Sequence, residues 1–502
     1  MEQFQHFING FAVALNPLNI VYAFAGCFMG TIVGVLPGLG PAAGVALLLP
    51  ITFSMDPASA MIMLAGIYYG AQYGGSTTSI LINTPGEASS IMTALDGYQM
   101  ARNGRAGAAL AVAGIGSFIA GTISVILLAL LAVPLSKLAL RIGPPEYFSL
   151  IMFAMASVSS LTGSSLPKAL LAVLIGLLIS TIGVDLQSGM NRFTGTIPEL
   201  QDGVGFIVAA VGLFAMSEVL MSLERLFKGK NEVIGIKGKL WLTRDEWNRS
   251  KWPIVRGSFI GFFKGVLPGG GSTIATILSY NLERSLSKEP EKFGTGMIEG
   301  VAGPESANNA AATGAFVPLL ALGIPGSATT AIMLGAFLVY GIPPGPQLFE
   351  RYPDLAWGLI DSMFIGNIVL VILNLPLIML FVRILYIPSG ILMPAILVIA
   401  SIGTFTINSS VFDLWLMLGF GVLGYFMRKM HVPIPPLILA IVLGDLLEKS
   451  LRQSMTISGG DAGILVSSPI AVTLLTLSGI IFVSPFLPWK RLLSKLRSGS
   501  AA

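Results

Sequence analysis

Apolar positions in this chain run on in long blocks. Stretches of about 20 residues, the length a helix needs to cross a bilayer, occupy residues 108–133, 166–184, 205–223, 358–380, 391–407, 414–427, 434–447 and 464–486. The short alternating segments of a membrane β-barrel are absent. The pattern predicts an all-α polytopic integral membrane protein. Between the blocks lies one long polar stretch, 225–256, with nine basic residues and Trp241, Trp247 and Trp252. It reads as a cytoplasmic connector.

One segment is written twice. Gly26, Gly30, Gly34, Val35, Leu36, Pro37, Gly38 and Gly40 return as Gly257, Gly261, Gly265, Val266, Leu267, Pro268, Gly269 and Gly271, displaced by 231 residues. Asn83-Thr84-Pro85-Gly86 returns as Gly323-Ile324-Pro325-Gly326, displaced by 240. Ser164, Ser165 and Gly176 pair with Ser409, Ser410 and Gly421, and Gly212 and Glu218 pair loosely with Gly444 and Glu448. Two internal repeats follow. The expected organisation is 1–25, leading into the first helix from the periplasmic side; 26–224, repeat one; 225–256, the connector; 257–455, repeat two; and 456–502, a last helix with a basic cytoplasmic tail.

Charge decides how the repeats are related. The connector and the tail (Lys490, Arg491, Lys495, Arg497) are basic and hence cytoplasmic by the positive-inside rule. Arg102 and Arg105 in repeat one match the Lys/Arg-free stretch 341–346 in repeat two; Arg284, Lys288 and Lys292 match the Lys/Arg-free stretch 51–58. Loops that are basic in one copy and not in the other are expected on opposite sides, so the repeats read as inverted, with the N-terminus outside. Lys137, Arg141, Lys449 and Arg452 run against that assignment.

Composition agrees with this picture: 54% hydrophobic, 11% charged, mean hydropathy +0.81, and 59 glycines, a residue enriched in membrane helices. The first Lys or Arg is Arg102, so the N-terminus lacks the basic start of a secretory signal. The net charge of +4 is small, and no nucleic-acid partner is expected. Cys27 is alone, which excludes an intrachain disulfide, and His6 and His431 have no ligand-spaced neighbours. Neither a metal centre nor a cofactor is expected, and nothing suggests an enzyme.

Function then falls on the breaks. Pro removes a backbone donor and Gly loosens the chain; in hydrocarbon the freed groups must be buried in protein or line a cavity. Four repeat-related breaks, at Pro37-Gly38, Pro85-Gly86, Pro268-Gly269 and Pro325-Gly326, are the pattern of transporters whose half-helix ends meet at the midplane. N-terminal ends suit an anion, and free carbonyls suit a cation. Substrate-binding candidates are Pro37, Gly38, Gly40, Ser76, Thr77, Thr78, Asn83, Thr84, Pro85, Gly86, Pro268, Gly269, Gly270, Gly271, Asn308, Asn309, Pro325, Gly326, Ser327 and Thr329. Glu87, Glu305, Asn308 and Thr313 are candidates for a coupling cation. Hydroxyls also satisfy their own helix, and acids also cap helices, so each has a structural reading beside the functional one. Asp361, Asp445 and Glu218 look like helix-end residues. The glycine ladders read as packing seams, and 266–272 lacks the Lys of a nucleotide-binding loop, so ATP is not expected as energy source.

Six motifs carry a family resemblance: Gly-Val-Leu-Pro-Gly-Leu-Gly-Pro (34–41), Tyr-Gly-Gly-Ser-Thr-Thr-Ser-Ile-Leu (73–81), Thr-Ala-Leu-Asp-Gly-Tyr (93–98), Gly-Pro-Pro-Glu-Tyr-Phe (143–148), Pro-Glu-Ser-Ala-Asn-Asn-Ala (304–310) and Gly-Ile-Pro-Gly-Ser-Ala-Thr-Thr (323–330). In order, and spread over nearly the whole chain, they resemble the large membrane subunit (TctA) of tripartite tricarboxylate transporters. The resemblance implies a bacterial inner-membrane secondary transporter of a di- or tricarboxylate such as citrate. It would work with a small four-helix membrane subunit and a periplasmic solute-binding protein, with Na⁺ or H⁺ as coupling ion. By analogy with other carriers fed by binding proteins, it also implies an elevator-like transport domain moving against a scaffold. The rival readings are a carboxylate channel and a carrier without ion coupling.

Overall fold

The computed structural model describes residues 2–140, 142–161, 165–185, 188–225, 240–268 and 271–483. Among them the fold is helical, apart from a two-stranded antiparallel ribbon pairing Gly183 with Arg192 and Val184 with Asn191. Among the described residues six helices are long and apolar enough to cross a membrane: Pro17–Val35, Ala88–Ala139, Phe206–Glu224, Pro353–Asn374, Gly390–Asn408 and Val411–Lys429. Leu130, Leu171, Leu174, Leu178, Ile391 and Trp415 point outward and stay exposed. Such an apolar exterior is untenable in water and meets lipid tails without cost. The chain is a multi-pass membrane protein.

Two helices missing from the apolar runs form the centre. Pro57–Ile82 is started by Asp56, whose carboxylate accepts the Ala58 N–H (3.1 Å), with Pro57 at the first helical position. It is buried from Ser59 to Ile82, and Glu299–Gly314 is buried from Gly300 onward. Both carry polar side chains on all sides, which hides them from a hydropathy reading. Glu299–Gly314 brings the ionisable Glu305 into the interior, the kind of residue that carries a functional expectation in a membrane protein.

The glycine ladders dock these two helices. A Cβ on Gly30 would lie 2.7 Å from the Cα of Ile67, and one on Gly261 would lie 2.7 Å from the Cα of Ala307. Gly26 and Gly34 press likewise on Met63 and Ala71; Gly257 and Gly265 press on Gly303 and Ala311. With no hydrophobic drive between helices in lipid, close backbone packing of this kind holds them together.

The outer helices interlock crosswise. Phe206–Ala210 runs through a wide π-helical stretch, Val211–Met216, into Ser217–Arg225 and packs on Val411–Lys429, with Gly212 against the Met417 carbonyl (2.6 Å from an added Cβ). Leu166–Ser180 packs on Ile434–Ile457, with Gly176 against Ala440. Ion pairs repeat the exchange: Arg428 binds Glu218, and Arg192 binds Glu448 (2.9 Å).

The loops gather in two groups. Arg105 pairs with Glu246 (2.8 Å), Asn103 donates to the Thr295 carbonyl (3.4 Å), and Arg249 pairs with Glu299 (2.8 Å). In the other group Ser136 donates to the Pro346 carbonyl (2.8 Å), and the Tyr340 hydroxyl donates to the Thr52 carbonyl (2.5 Å). Arg105 and Ser136 bracket the helix Ala106–Ala139, so the groups lie roughly 45 Å apart at about 1.5 Å per residue.

Several expected elements differ in detail. The run 358–380 is interrupted after Asn374 and resumes as Ile378–Val382. The run 464–486 starts as the 3-10 turn Ala462–Val466 before Pro469–Val483, and its last residues lie outside the described ones, as does the basic tail. The helix carrying the second glycine ladder, Arg244–Val266, begins inside the polar connector, where Thr243 and Glu246 form a capping box. Asp361, Asp445 and Glu218 are not helix-end residues: Asp361 sits well inside Pro353–Asn374, Asp445 inside Ile434–Ile457, and Glu218 in the continuous helix after the π-helical stretch. Apolar runs show where a helix lies but not where it starts and stops.

Candidate functional site

The first break ends Pro17–Val35 with Leu36 extended (φ −84°, ψ 112°), and a new helix, Gly40–Leu48, starts at Gly40 with φ +63°. Its counterpart ends Arg244–Val266 with Leu267 at φ −82°, ψ 122°, and Gly271–Leu286 starts at Gly271 with φ +51°. Pro37 lies in the first turn and Pro268 in the second; Gly269 and Gly270 lie outside the described residues. Gly38 has φ +92°, and its Cα abuts the Glu218 carboxylate, which leaves no room for a side chain.

The second breaks match as closely. Asn83 (φ +53°) ends Pro57–Ile82, and Gly323 (φ +70°) ends Phe316–Leu322, both left-handed. After the Pro-Gly pair, Glu87 opens the turn Ala88–Ser90 and the helix Ile91–Met100, with the Ser90 hydroxyl accepting the Glu87 N–H (3.4 Å). Ser327 opens Ala328–Val339, with the Thr330 hydroxyl accepting the Ser327 N–H (2.8 Å).

Within each half the two breaks meet. A Cβ on Gly86 would lie 2.8 Å from the Gly34 carbonyl oxygen, and one on Gly326 would lie 3.1 Å from that of Gly265. A Cβ on Gly40 would lie 3.7 Å from the Gly86 carbonyl, so the starts of Gly40–Leu48 and of the helix after Glu87 converge. Pro85 is half-buried, and Pro325 and Gly326 are buried.

The halves then meet each other through side chains. Asn308 Nδ2 donates to Glu87 Oε1 (2.9 Å), and the Tyr68 hydroxyl lies 3.4 Å from the Ser327 hydroxyl. Tyr68 and Asn308 are separated by 240 residues, as are Glu87 and Ser327. The two contacts are therefore reciprocal. Gln72, turned so that its amide nitrogen faces this cluster, reaches Asn308 Oδ1 at 3.0 Å and also contacts Glu87. Nearby, Tyr69 bonds Thr313 (2.5 Å).

One helical turn before Asn308, Glu305 is fully buried. Ser76 donates to its Oε2 (2.6 Å), and Thr93 donates to its Oε1. Among the described residues neither Glu87 nor Glu305 has a basic partner.

The remaining candidates divide. Of the hydroxyl run, only Ser76 reaches the other half; Thr77, Thr78 and Ser79 donate back to carbonyls of their own helix, at Tyr73 (3.4 Å) and Gly75 (2.8 and 2.9 Å). Thr84 bonds the Ile82 carbonyl (3.3 Å), and Asn83 is exposed, outside the cluster. Asn309 donates to Ser117 (2.6 Å), and Thr329 is buried beside Ser327. Sequence reasoning passed over Tyr68, Tyr69, Gln72 and Thr93. It also passed over Asp96, whose buried Oδ1 accepts the N–H groups of Gly294, Gly296 and Met297 (2.8–2.9 Å) and whose Oδ2 accepts from Tyr280 (2.9 Å). Asp96 thereby holds the approach to the helix of Glu305 and Asn308. Thr93 and Asp96 belong to one short motif, which was the available signal.

The arrangement presents several helix N-termini and a ring of neutral donors, with two acids behind them. Helix N-termini favour anions, and buried acids favour cations. Comparison with known proteins bears on what uses such a site. The Tripartite tricarboxylate transporter TctA family model matches residues 20–439. An uncharacterized 52.8 kDa protein in the TAR-I ttuC' 3'region of Agrobacterium vitis is 51% identical over 481 residues, 95% of each chain. An uncharacterized protein in the TAR-II ttuC' 3'region of the same organism is 51% identical over 228 residues, 45% of this chain and 94% of that one. No solved structure matches. The chain belongs to the tripartite tricarboxylate transporter TctA family, a family of transporter components that work with further subunits, and not of enzymes.

Proposed function

We propose that the chain is the large membrane subunit that carries a di- or tricarboxylate, citrate-like in chemistry, across the bacterial inner membrane. It receives the anion from a periplasmic binding protein, works beside a small four-helix membrane subunit, and is driven by a Na⁺ or H⁺ gradient. The observation that carries this reading is the reciprocal pair Asn308–Glu87 and Tyr68–Ser327 where the broken helices converge. The carboxylates lodge against the N-termini of Gly40–Leu48, Gly271–Leu286 and Ala328–Val339, where the helix dipoles place partial positive charge. Asn308 and Ser327 supply donors, and the acids offset the charge of a co-transported cation.

Two inverted repeats are the architecture proposed for this carrier. The loop group around Arg105 and that around Ser136 and Pro346 support it, because the matched stretches 102–105 and 341–346 fall in different groups. The Arg105 group is rich in basic residues and is assigned to the cytoplasm, with the N-terminus outside and the C-terminus inside. The breaks with their central helices form the moving body, and the crosswise outer helices form the scaffold.

Proteoliposomes containing the chain and its membrane partner test the reading. With the cognate binding protein and an imposed Na⁺ or H⁺ gradient, they should accumulate one labelled carboxylate from a panel above its external concentration. Equilibration without accumulation would mean a channel or an uncoupled carrier and would overturn the coupled reading.

A further inference from the structure

Beside Glu305 lies a cavity with room for about one water-sized particle. Four helices supply its polar lining: Tyr73, Ser76 and Thr77 from Pro57–Ile82, Ser117 from Ala106–Ala139, Glu305 from Glu299–Gly314 and Asn374 from Pro353–Asn374. Two of these groups want a partner. The Tyr73 hydroxyl and Asn374 Oδ1 are buried, and neither has a hydrogen bond among the described residues. Asn374 Nδ2 donates to the Leu370 carbonyl (3.0 Å), which fixes the amide and leaves its oxygen to the cavity. The Ser117 oxygen accepts from Asn309 and the Thr77 hydroxyl donates to its own helix, so both keep lone pairs.

Apart from the Asn374 amide nitrogen, which is taken by the Leu370 carbonyl, the polar atoms so described are oxygens, and one of the groups is a carboxyl. A buried carboxylate without a positive partner is costly. A proton on Glu305 would remove the charge and give the carboxyl one O–H donor, an outcome that the ion selectivity of the test below separates from a bound cation. A divalent ion would ask for more carboxylates and six or more oxygens. We propose that this cavity seats one Na⁺ ion, held by the Glu305 carboxylate, the Tyr73 hydroxyl and Asn374 Oδ1, with the Ser117 and Thr77 oxygens completing the shell. The ion ties four helices together. It also fixes Glu305 one turn from Asn308 on the same helix face, so that its presence favours the anion-binding arrangement at the breaks. That coupling rests on the carrier reading; the binding of Na⁺ does not.

The test uses the purified full chain without substrate or partner, at fixed pH and ionic strength, in NaCl, KCl or choline chloride. Its readout is the thermal unfolding midpoint, with ²²Na⁺ binding as a second measure. Na⁺ should raise the midpoint saturably where K⁺ and choline do not. Measured against each variant's own midpoint in choline, Asn374→Ala and Tyr73→Phe should each raise the half-saturating Na⁺ concentration about tenfold, and Glu305→Gln should abolish the effect. If Glu305→Gln fails to fold, the two neutral variants still decide. No Na⁺-selective shift in the wild type means a water-filled cavity and overturns the proposal, even where uptake driven by a proton gradient persists. A shift that all three variants retain puts the ion elsewhere and also overturns it. Loss of carboxylate accumulation with the Na⁺ shift intact would count against the carrier reading alone.

Discussion

At the second break of each half the backbone is nearly the same and the side chains are not. Asn83 stands where Gly323 stands, in the same left-handed conformation, and Glu87 stands where Ser327 stands, at the same helix start. On the central helices Tyr68, Tyr69 and Tyr73 stand 240 residues from Asn308, Asn309 and Thr313, and Ala65 stands that distance from Glu305. One half offers phenols where the other offers two amides and a hydroxyl, and an alanine where the other offers an acid. The duplicated backbone brings two sets of broken ends together; the divergent side chains make their meeting asymmetric. Symmetry here supplies shape, and its loss supplies chemistry.

The largest effects are expected where the halves are alike. Gly30→Leu and Gly261→Leu force side chains into the main chain of the partner helix and should each cost about 3 kcal/mol or more. Folded, monodisperse protein should fall at least about tenfold in both, with Gly419→Ala, where nothing lies within 4 Å, as the unaffected control. A large loss in one seam and none in the other would break the equivalence.

Next come the crosswise ion pairs, alike in plan and unlike in burial. Glu218 is 1% exposed and abuts Gly38, whereas Glu448 is 28% exposed and has Arg452 as a second partner (2.5 Å). Arg428→Ala removes a partner of a buried carboxylate and should cost about 3 kcal/mol; Arg192→Ala should cost about 1 kcal/mol or less. Unfolding midpoints of the two variants, compared in one detergent, read the difference; equal losses would mean that burial does not separate the pairs.

The smallest effect separates a backbone role from a ligand role at Asn83. Asn83→Gly restores the residue of the other half and should keep transport near wild type. Asn83→Ala, strained at φ +53°, should lose about 1 kcal/mol of stability and a few-fold in rate. Equal, severe transport loss in both variants would mean that the Asn83 side chain binds substrate.

Much of this was legible before the structure. Four Pro-Gly pairs in apolar sequence mark helix breaks because Pro cannot complete the hydrogen-bond ladder, and all four Pro positions lie at such breaks. Glycines every fourth residue in a membrane chain mark a seam, and both ladders are seams. Helices Pro57–Ile82 and Glu299–Gly314 escaped because they bury polar and apolar residues alike, so no hydropathy contrast outlines them. The side chains that cross between halves were harder still. Nothing local separates Ser76, which reaches Glu305, from Thr77 or Thr78, which bond their own helix. The displacement of 240 residues held an unused hint: it pairs Tyr68 with Asn308 and Glu87 with Ser327, the four residues of the reciprocal contacts.

The central claim is that the asymmetric meeting of the two halves is the carboxylate site. Uptake by proteoliposomes with the binding protein present, measured for Glu87→Gln, Asn308→Ala and the double variant, tests it most directly. Each single substitution should lower the uptake rate at least about tenfold with normal amounts of folded protein. The double variant should be no worse than the worse single, because contacting residues do not add. Wild-type rates in both single variants would contradict the account.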